Sequence, residues 1–250
     1  MLVLITGGDG FVARNLIFRL LSMPDVQVIT YTRQNSVEDL YRFAPRADCM
    51  FHLAGVNRPR LPEQFMPGNL GLTDSLCAAL QASEPREGRQ LIFSSSIHAA
   101  LDTPYGQSKR AAEGVLRHLA LAKQIRVWLY RLPNVFGRWS RPNYNSAVAT
   151  FCYNAARGLP LQINDPDAPL TLVHVDDVVE SFVRALRHEA LPLDEHGFAS
   201  VLPQYKTTVG QVANWVRAFQ DGQPISPTDA TQAALVEALR DTYQSMLPLA

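Results

Sequence analysis

Lysine is scarce in this chain: Lys109, Lys123 and Lys206 stand against 20 arginines. Charge of one sign is not in excess, with 23 basic and 23 acidic residues, which excludes a nucleic-acid surface built on a broad basic field. Cysteine is limited to Cys49, Cys77 and Cys152, an odd number without metal-ligand spacing, so buried free thiols in a reducing compartment are expected. The six histidines form no H-x-x-x-H cluster, and no metal is expected. No apolar run is long enough for a membrane span or signal peptide. The opening "MLVLIT" runs directly into glycines, and a cytoplasmic location with no membrane partner is expected.

What is present is a core former. Hydrophobic residues make up 47% and charged residues 18% of 250 residues, enough for one large α/β domain or a domain with a smaller lobe. The abundant arginines suit a two-point grip on phosphate, so the composition keeps an anionic small molecule in play.

Apolar runs at 1–6, 26–32, 49–55, 89–96 and 126–132 predict buried strands. Helical stripes fall between them, near 11–22, 37–44, 69–83 and 105–122. That alternation predicts a doubly wound, Rossmann-type parallel sheet covered on both faces. The core is expected over residues 1–133. A smaller lobe is expected over 134–250, with a returning strand and helix near 170–188, a long loop at "PNVFGRWSRPNYNS", and helices near 147–158, 208–219 and 229–245.

Between the first strand and the first helix stands "TGGDGFVA". Gly7 allows the tight turn, and Gly10 allows a pyrophosphate to approach the backbone. Phe11 and Val12 open a helix whose N–H groups and dipole favour an anion. The dinucleotide pattern puts an acidic residue at the end of the second strand, to bond the ribose 2′-hydroxyl. Here "TYTRQNS" offers Arg33 instead, which suits a 2′-phosphate and hence NADP(H). Tyr105 and Lys109 sit four apart in "PYGQSK", on one helical face, just after the serines of "FSSS". An ammonium near a phenol favours the phenolate, which can serve proton transfer; the same spacing also arises on an ordinary polar helix face.

Taken in order, "TGGDGF", "HLAG", "SSS", "YGQSK" and "HVDD" resemble the extended short-chain dehydrogenase/reductases, the epimerase/dehydratase-like branch acting on nucleotide-activated sugars. Within it, "HLAGVNRP", "RLPNVFGRWSRPNYNS" and "ATFCYNAARG" resemble the reductase domain of capsule and O-antigen bifunctional enzymes. In those enzymes a C-terminal cupin epimerises C3 of a UDP-2-acetamido-2,6-dideoxyhexos-4-ulose, and the reductase domain reduces the C4 ketone with NADPH. The chain stops near where the cupin would begin. That leaves two expectations: a stand-alone reductase with a separate cupin partner, or a piece from which the cupin has been deleted.

The resemblance implies Tyr105 as general acid and Lys109 as the cation that lowers its pKa and holds the nicotinamide ribose. Ser96 would hold the carbonyl oxygen, with Ser95 as fallback. It implies cofactor contacts at Leu53, Ala54, Gly55 and Pro133, and substrate contacts at Ser95, His98, Asn134, Arg138 and Arg141. Asn69 is implied as a loop anchor, and a homodimer through helices 70–83 and 105–122.

The departures are specific. A strand is missing between Arg33 and Asp48, Ser96 and Tyr105 are only nine residues apart, and Leu170 replaces an arginine. Ile97 and His98 occupy the positions where dehydratases of the branch carry two acids, which argues against dehydration. A nucleotide-sugar 4-epimerase and a non-catalytic cofactor sensor remain the alternatives.

Overall fold

The computed structural model describes residues 1–123 and 125–248. They form two compact units: Met1–Leu132 with Val179–Ser200, and Pro133–Val178 with the chain from Val201 onward.

In the first unit, β1 (Leu2–Thr6), β2 (Gln27–Tyr31), β3 (Cys49–His52), β4 (Gln90–Ser96) and β5 (Arg126–Leu132) form a parallel sheet. Its order is β2-β1-β3-β4-β5. The interior strands read as unbroken apolar runs because both of their faces are covered, and Val3, Ile5, Met50, Phe51, Leu91 and Ile92 are fully buried. The edge strand β2 is half exposed. Around the sheet run α1 (Phe11–Leu20), α2 (Val37–Phe43), α3 (Leu72–Gln81) and α4 (Pro104–Lys123). Leu76 and Leu80 of α3, and Leu116 and Leu119 of α4, repeat at helical spacing and pack with Leu4, Met50, Leu91 and Phe93. Each such leucine contributes about 1.5–3 kcal/mol on burial. The register pairs Thr6 with both Tyr31 and His52, and His52 with Phe93, so these residues line up at the carboxyl end of the sheet.

In the second unit, β6 (Asn134–Phe136), β7 (Pro169–His174) and β8 (Tyr205–Thr208) form a separate sheet. It carries α5 (Ala147–Ala155), the start of α6 (Val175–Leu186), α7 (Val209–Gln220) and α8 (Ala230–Gln244). Phe136, Phe151, Val212, Val216 and Leu239 make its core.

Three expectations change. The stretch after Pro133 is not all loop, because Asn134–Phe136 pairs in parallel with Leu172–His174. The strand near 170 does not return to the first sheet; β7 lies between β6 and β8, a strand the sequence pattern did not reveal. The free side of β5 is met instead by Ala199, whose N–H donates to the Leu129 carbonyl at 2.8 Å. The helix predicted from Asn69 begins with a turn of π-helix, Pro67–Gly71, before α3.

Between Arg33 and Cys49 the described residues hold α2 and a 3₁₀ turn, Ala44–Arg46, and no strand. The three cysteines are buried and unpaired, and burial raises Cys77 and Cys152 to about 12. Among the described residues, no helix is long and apolar enough to cross a membrane. None of their His, Cys, Asp and Glu side chains cluster in a group able to hold a metal ion.

Candidate active site

The site is built at the carboxyl end of the first sheet. After Thr6 the chain turns at Gly7 with φ +73°, and a Cβ there would stand 2.7 Å from the Ala54 Cα. Only glycine combines that backbone with that approach, so the Leu53–Gly55 segment after β3 rests directly on the turn. The Gly7 N–H donates to the Tyr31 carbonyl at 2.8 Å, and the Gly10 N–H closes the turn on the Gly7 carbonyl at 2.8 Å. Gly8, which the sequence reading passed over, has no room for a side chain against Thr30, although the "GG" doublet was a visible signal.

Helices α2, α5, α7 and α8 are capped by Ser36, Ser146, Thr208 and Asp229. α1 starts at Gly10 with no side-chain cap, leaving Phe11 and Val12 in an open first turn. A cradle that a Cβ would fill, beside an uncapped helix N-terminus, fits a dinucleotide phosphate. Arg33 is exposed two residues beyond the end of β2, in a turn closed by the Thr32 N–H on Asn35 Oδ1.

The serines of β4 alternate in direction, and this separates their roles. Ser95 is buried and donates to Glu113 Oε1 at 2.5 Å. Arg131 Nε and Nη2 reach the same carboxylate at 3.0 and 2.7 Å. The Ser95 hydroxyl thus gives its proton to an inward ion pair, in contrast to the substrate contact expected of it. Ser96 lies at the strand end, where its Oγ accepts the His98 N–H at 3.2 Å and caps the 3₁₀ turn Ile97–Ala100.

That turn packs tightly on the start of α4. A Cβ on Gly106 would collide with the His98 and Leu101 carbonyl oxygens, so this glycine is what brings Tyr105 up to Ser96. The Tyr105 ring lies 5.5 Å from Phe65 and 6.2 Å from the edge-on His98 ring. One turn further on, Lys109 is buried, donates to the Ser94 carbonyl at 2.9 Å and stands 4.8 Å from the Phe93 ring centroid. Gly55 opens space for it, since a Cβ there would be 3.2 Å from Nζ and 2.9 Å from Asn69 Oδ1.

The expected lowering of the Tyr105 pKa by Lys109 meets an opposing effect of burial. Burial raises the Tyr105 pKa, opposed by hydrogen bonding to Ser96. Burial lowers Lys109 to about 8, opposed by Glu113. The ammonium donates one of its three hydrogens to the Ser94 carbonyl, and the raised pKa keeps the phenol protonated, the form a proton donor needs.

Asn69 is the anchor expected. Its amide exchanges bonds with the Val56 backbone, Oδ1 from N–H at 2.8 Å and Nδ2 to C=O at 3.0 Å. Glu113, Arg131 and Gly106 were missed. For Gly106 the quoted "YGQSK" was signal enough, whereas nothing local marked the Glu113–Arg131 pairing.

The remaining candidates lie in the second unit. Asn134 donates to the Thr171 carbonyl at 3.3 Å, and Leu170 packs on the core. Arg138 lies 3.8 Å from Asp176 and stacks 5.0 Å from the Trp139 ring, and Arg141 stacks 5.1 Å from Tyr144. Pro133 is buried.

Residues 3–196 match the model of the NAD dependent epimerase/dehydratase family. The chain belongs to that family. This bears out the expected membership of the extended dehydrogenase/reductases and the Rossmann-type fold. The chain is 44% identical over 250 residues, 99% of its length, to a UDP-2-acetamido-2,6-beta-L-arabino-hexul-4-ose reductase of Pseudomonas aeruginosa. It spans 65% of that relative. Among solved structures, the capsular polysaccharide assembling protein CapF of Staphylococcus aureus superposes with a TM-score of 0.86 at 36% identity, over 99% of this chain and 65% of that one. A UDP-glucose 4-epimerase of Thermotoga maritima shares the fold, with a TM-score of 0.78 at 21% identity over 98% of both chains.

Proposed function

We propose that this family member is an NADPH-dependent reductase of the C4 ketone of a UDP-2-acetamido-2,6-dideoxyhexos-4-ulose, working in surface-polysaccharide precursor synthesis. The observation that carries the reading is Tyr105 beside Ser96, one helical turn from a buried Lys109, at the sheet end that also forms the glycine cradle. The Pseudomonas relative's activity and the Staphylococcus relative's capsule role support the substrate class.

Gly7, Gly10, Phe11, Val12 and the Leu53–Gly55 segment would hold the dinucleotide, with Arg33 on the 2′-phosphate. Bound there, NADPH would supply a hydride for the C4 carbon. Ser96 holds the ketone oxygen, and Tyr105 gives that oxygen its phenolic proton, so ketone, hydride and proton balance to the alcohol. Lys109, charged below about 8, then stabilises the phenolate left behind. Arg138 and Arg141 suit the UDP diphosphate, with Asn134 on the sugar. Ile97 and His98 leave no acid pair for dehydration.

A homodimer through α3 and α4, a cupin that epimerises C3 upstream, and a cytoplasmic setting consistent with three unpaired thiols complete the proposal.

The test is to incubate the chain with NADPH and the 4-keto UDP-sugar. Equal amounts of NADPH consumed and C4 alcohol formed support the reading. Interconversion of sugars without net NADPH consumption would make the protein an epimerase.

A further inference from the structure

His52 ends a fully buried strand and has no exposed surface, yet the chemistry proposed above does not use it. Its Nδ1 lies 2.7 Å from Thr6 Oγ1 and its Nε2 lies 2.9 Å from Thr73 Oγ1. The partners fix the tautomer. Thr73 Oγ1 donates its one proton to the Asn69 carbonyl at 2.8 Å, so from the ring it can only accept, and Nε2 carries the hydrogen. The bare Nδ1 then accepts from Thr6 Oγ1. That oxygen in turn accepts the Ala54 N–H at 3.2 Å.

The line continues past the Asn69 backbone through its side chain. Nδ2 donates to Ser108 Oγ at 2.9 Å, and Ser108 Oγ donates to the Tyr105 carbonyl at 2.8 Å. Every hydroxyl along it both accepts and donates, so the chain has a single direction, from the cradle segment at Ala54 to the backbone of the proton donor. The ring also stacks on Phe93, whose ring centroid lies 4.8 Å from the Lys109 ammonium. Burial keeps the imidazole neutral, its pKa lowered to about 3.

We infer that His52 is a positioning residue: as a neutral Nε2–H imidazole between Thr6 and Thr73, it sets the cradle segment Leu53–Val56 against the Tyr105–Lys109 turn of α4. The inference rests on the proposed reductase reading for its catalytic consequence, but not for its geometry.

The decisive variants are Thr73→Val, which keeps the shape and removes the hydroxyl, and Thr73→Ser, which restores it. His52→Gln is a third, and Thr242→Val is a control. Thr242 is a buried threonine in the second unit that donates to the Ala238 carbonyl at 2.8 Å and takes no part in the chain. Amide hydrogen exchange and ring ¹⁵N shifts are read without cofactor; NADPH affinity and the kcat and KM split are read with it.

Wild type should show a protonated Nε2 and a bare Nδ1. Thr73→Val and His52→Gln should speed exchange at Ala54 and Val56, weaken NADPH binding about tenfold and lower kcat by a similar factor. Thr73→Ser should stay within about twofold of wild type, and Thr242→Val should lower the melting temperature while leaving exchange at those amides and NADPH affinity unchanged. Unchanged exchange at Ala54 and Val56 in Thr73→Val, or the opposite tautomer, overturns the inference. Altered exchange with no change in NADPH affinity or kcat reduces His52 to a structural residue and also overturns it. If wild type neither binds NADPH nor reduces the sugar while exchange responds as stated, the positioning chain stands and the reductase reading falls.

Discussion

Arg131 holds Glu113 at two points beneath the serine strand, Nε on Oε1 at 3.0 Å and Nη2 on Oε2 at 2.7 Å, while Ser95 donates to Oε1 from above. Glu113 is nearly inaccessible, and the Arg131 guanidinium is itself stacked 4.0 Å from the Phe198 ring centroid. Removing the arginine leaves a buried carboxylate uncompensated. Arg131→Ala should therefore cost about 3–5 kcal/mol, measured by denaturant unfolding. Glu113→Gln keeps an acceptor for Ser95 but removes the anion that holds Lys109 up. The Lys109 limb of the pH–rate profile should then fall below about 8, and an unmoved limb contradicts the assignment.

Gly7 tests the cradle. Alanine there must adopt φ +73° and push against Ala54, a backbone cost of about 1–2 kcal/mol before any clash is relieved. Gly7→Ala should lower the melting temperature and abolish measurable NADPH binding by calorimetry. Gly71→Ala, where a Cβ would meet nothing within 4 Å, should do neither.

Burying Lys109 makes stability depend on pH with a definite sign. The folded chain releases this proton near 8, the unfolded lysine near 10.5. Between those values the unfolded state binds more protons, so this residue's contribution to stability rises with pH across the window. The difference in unfolding free energy between wild type and Lys109→Met should shift in favour of wild type as pH rises through it. A difference flat with pH would show an ordinary, solvated lysine.

Arg33 tests cofactor choice. If it meets a 2′-phosphate, Arg33→Ala should weaken NADPH about ten- to hundredfold and leave NADH nearly unchanged, read as two dissociation constants. Equal loss for both would remove the basis for the phosphate assignment.

Much of this architecture was legible in the chain because it rests on local rules. The buried strands, the glycine turn and the Tyr105–Lys109 spacing each follow from periodicity or backbone sterics within a few residues. What escaped depends on partners distant in sequence. Ser95 and Ser96 are indistinguishable as letters, and only the strand's alternation, with Glu113 eighteen residues on, assigns them opposite directions. The short strands β6 and β8 carry too little pattern to be seen before β7 pairs with them. The balance of effects on the Tyr105 pKa was hidden for a similar reason, since i,i+4 spacing brings two side chains to one face but does not say that burial surrounds the phenol or that a carbonyl already holds the ammonium.

The most direct measurement compares wild type with Tyr105→Phe in NADPH oxidation driven by the 4-keto UDP-sugar, with NADPH binding measured alongside. The account predicts that the variant binds NADPH as wild type does but loses turnover by about a hundredfold or more, the usual scale of a missing general acid. Turnover retained within a few-fold would contradict Tyr105 as proton donor, and with it the reductase mechanism.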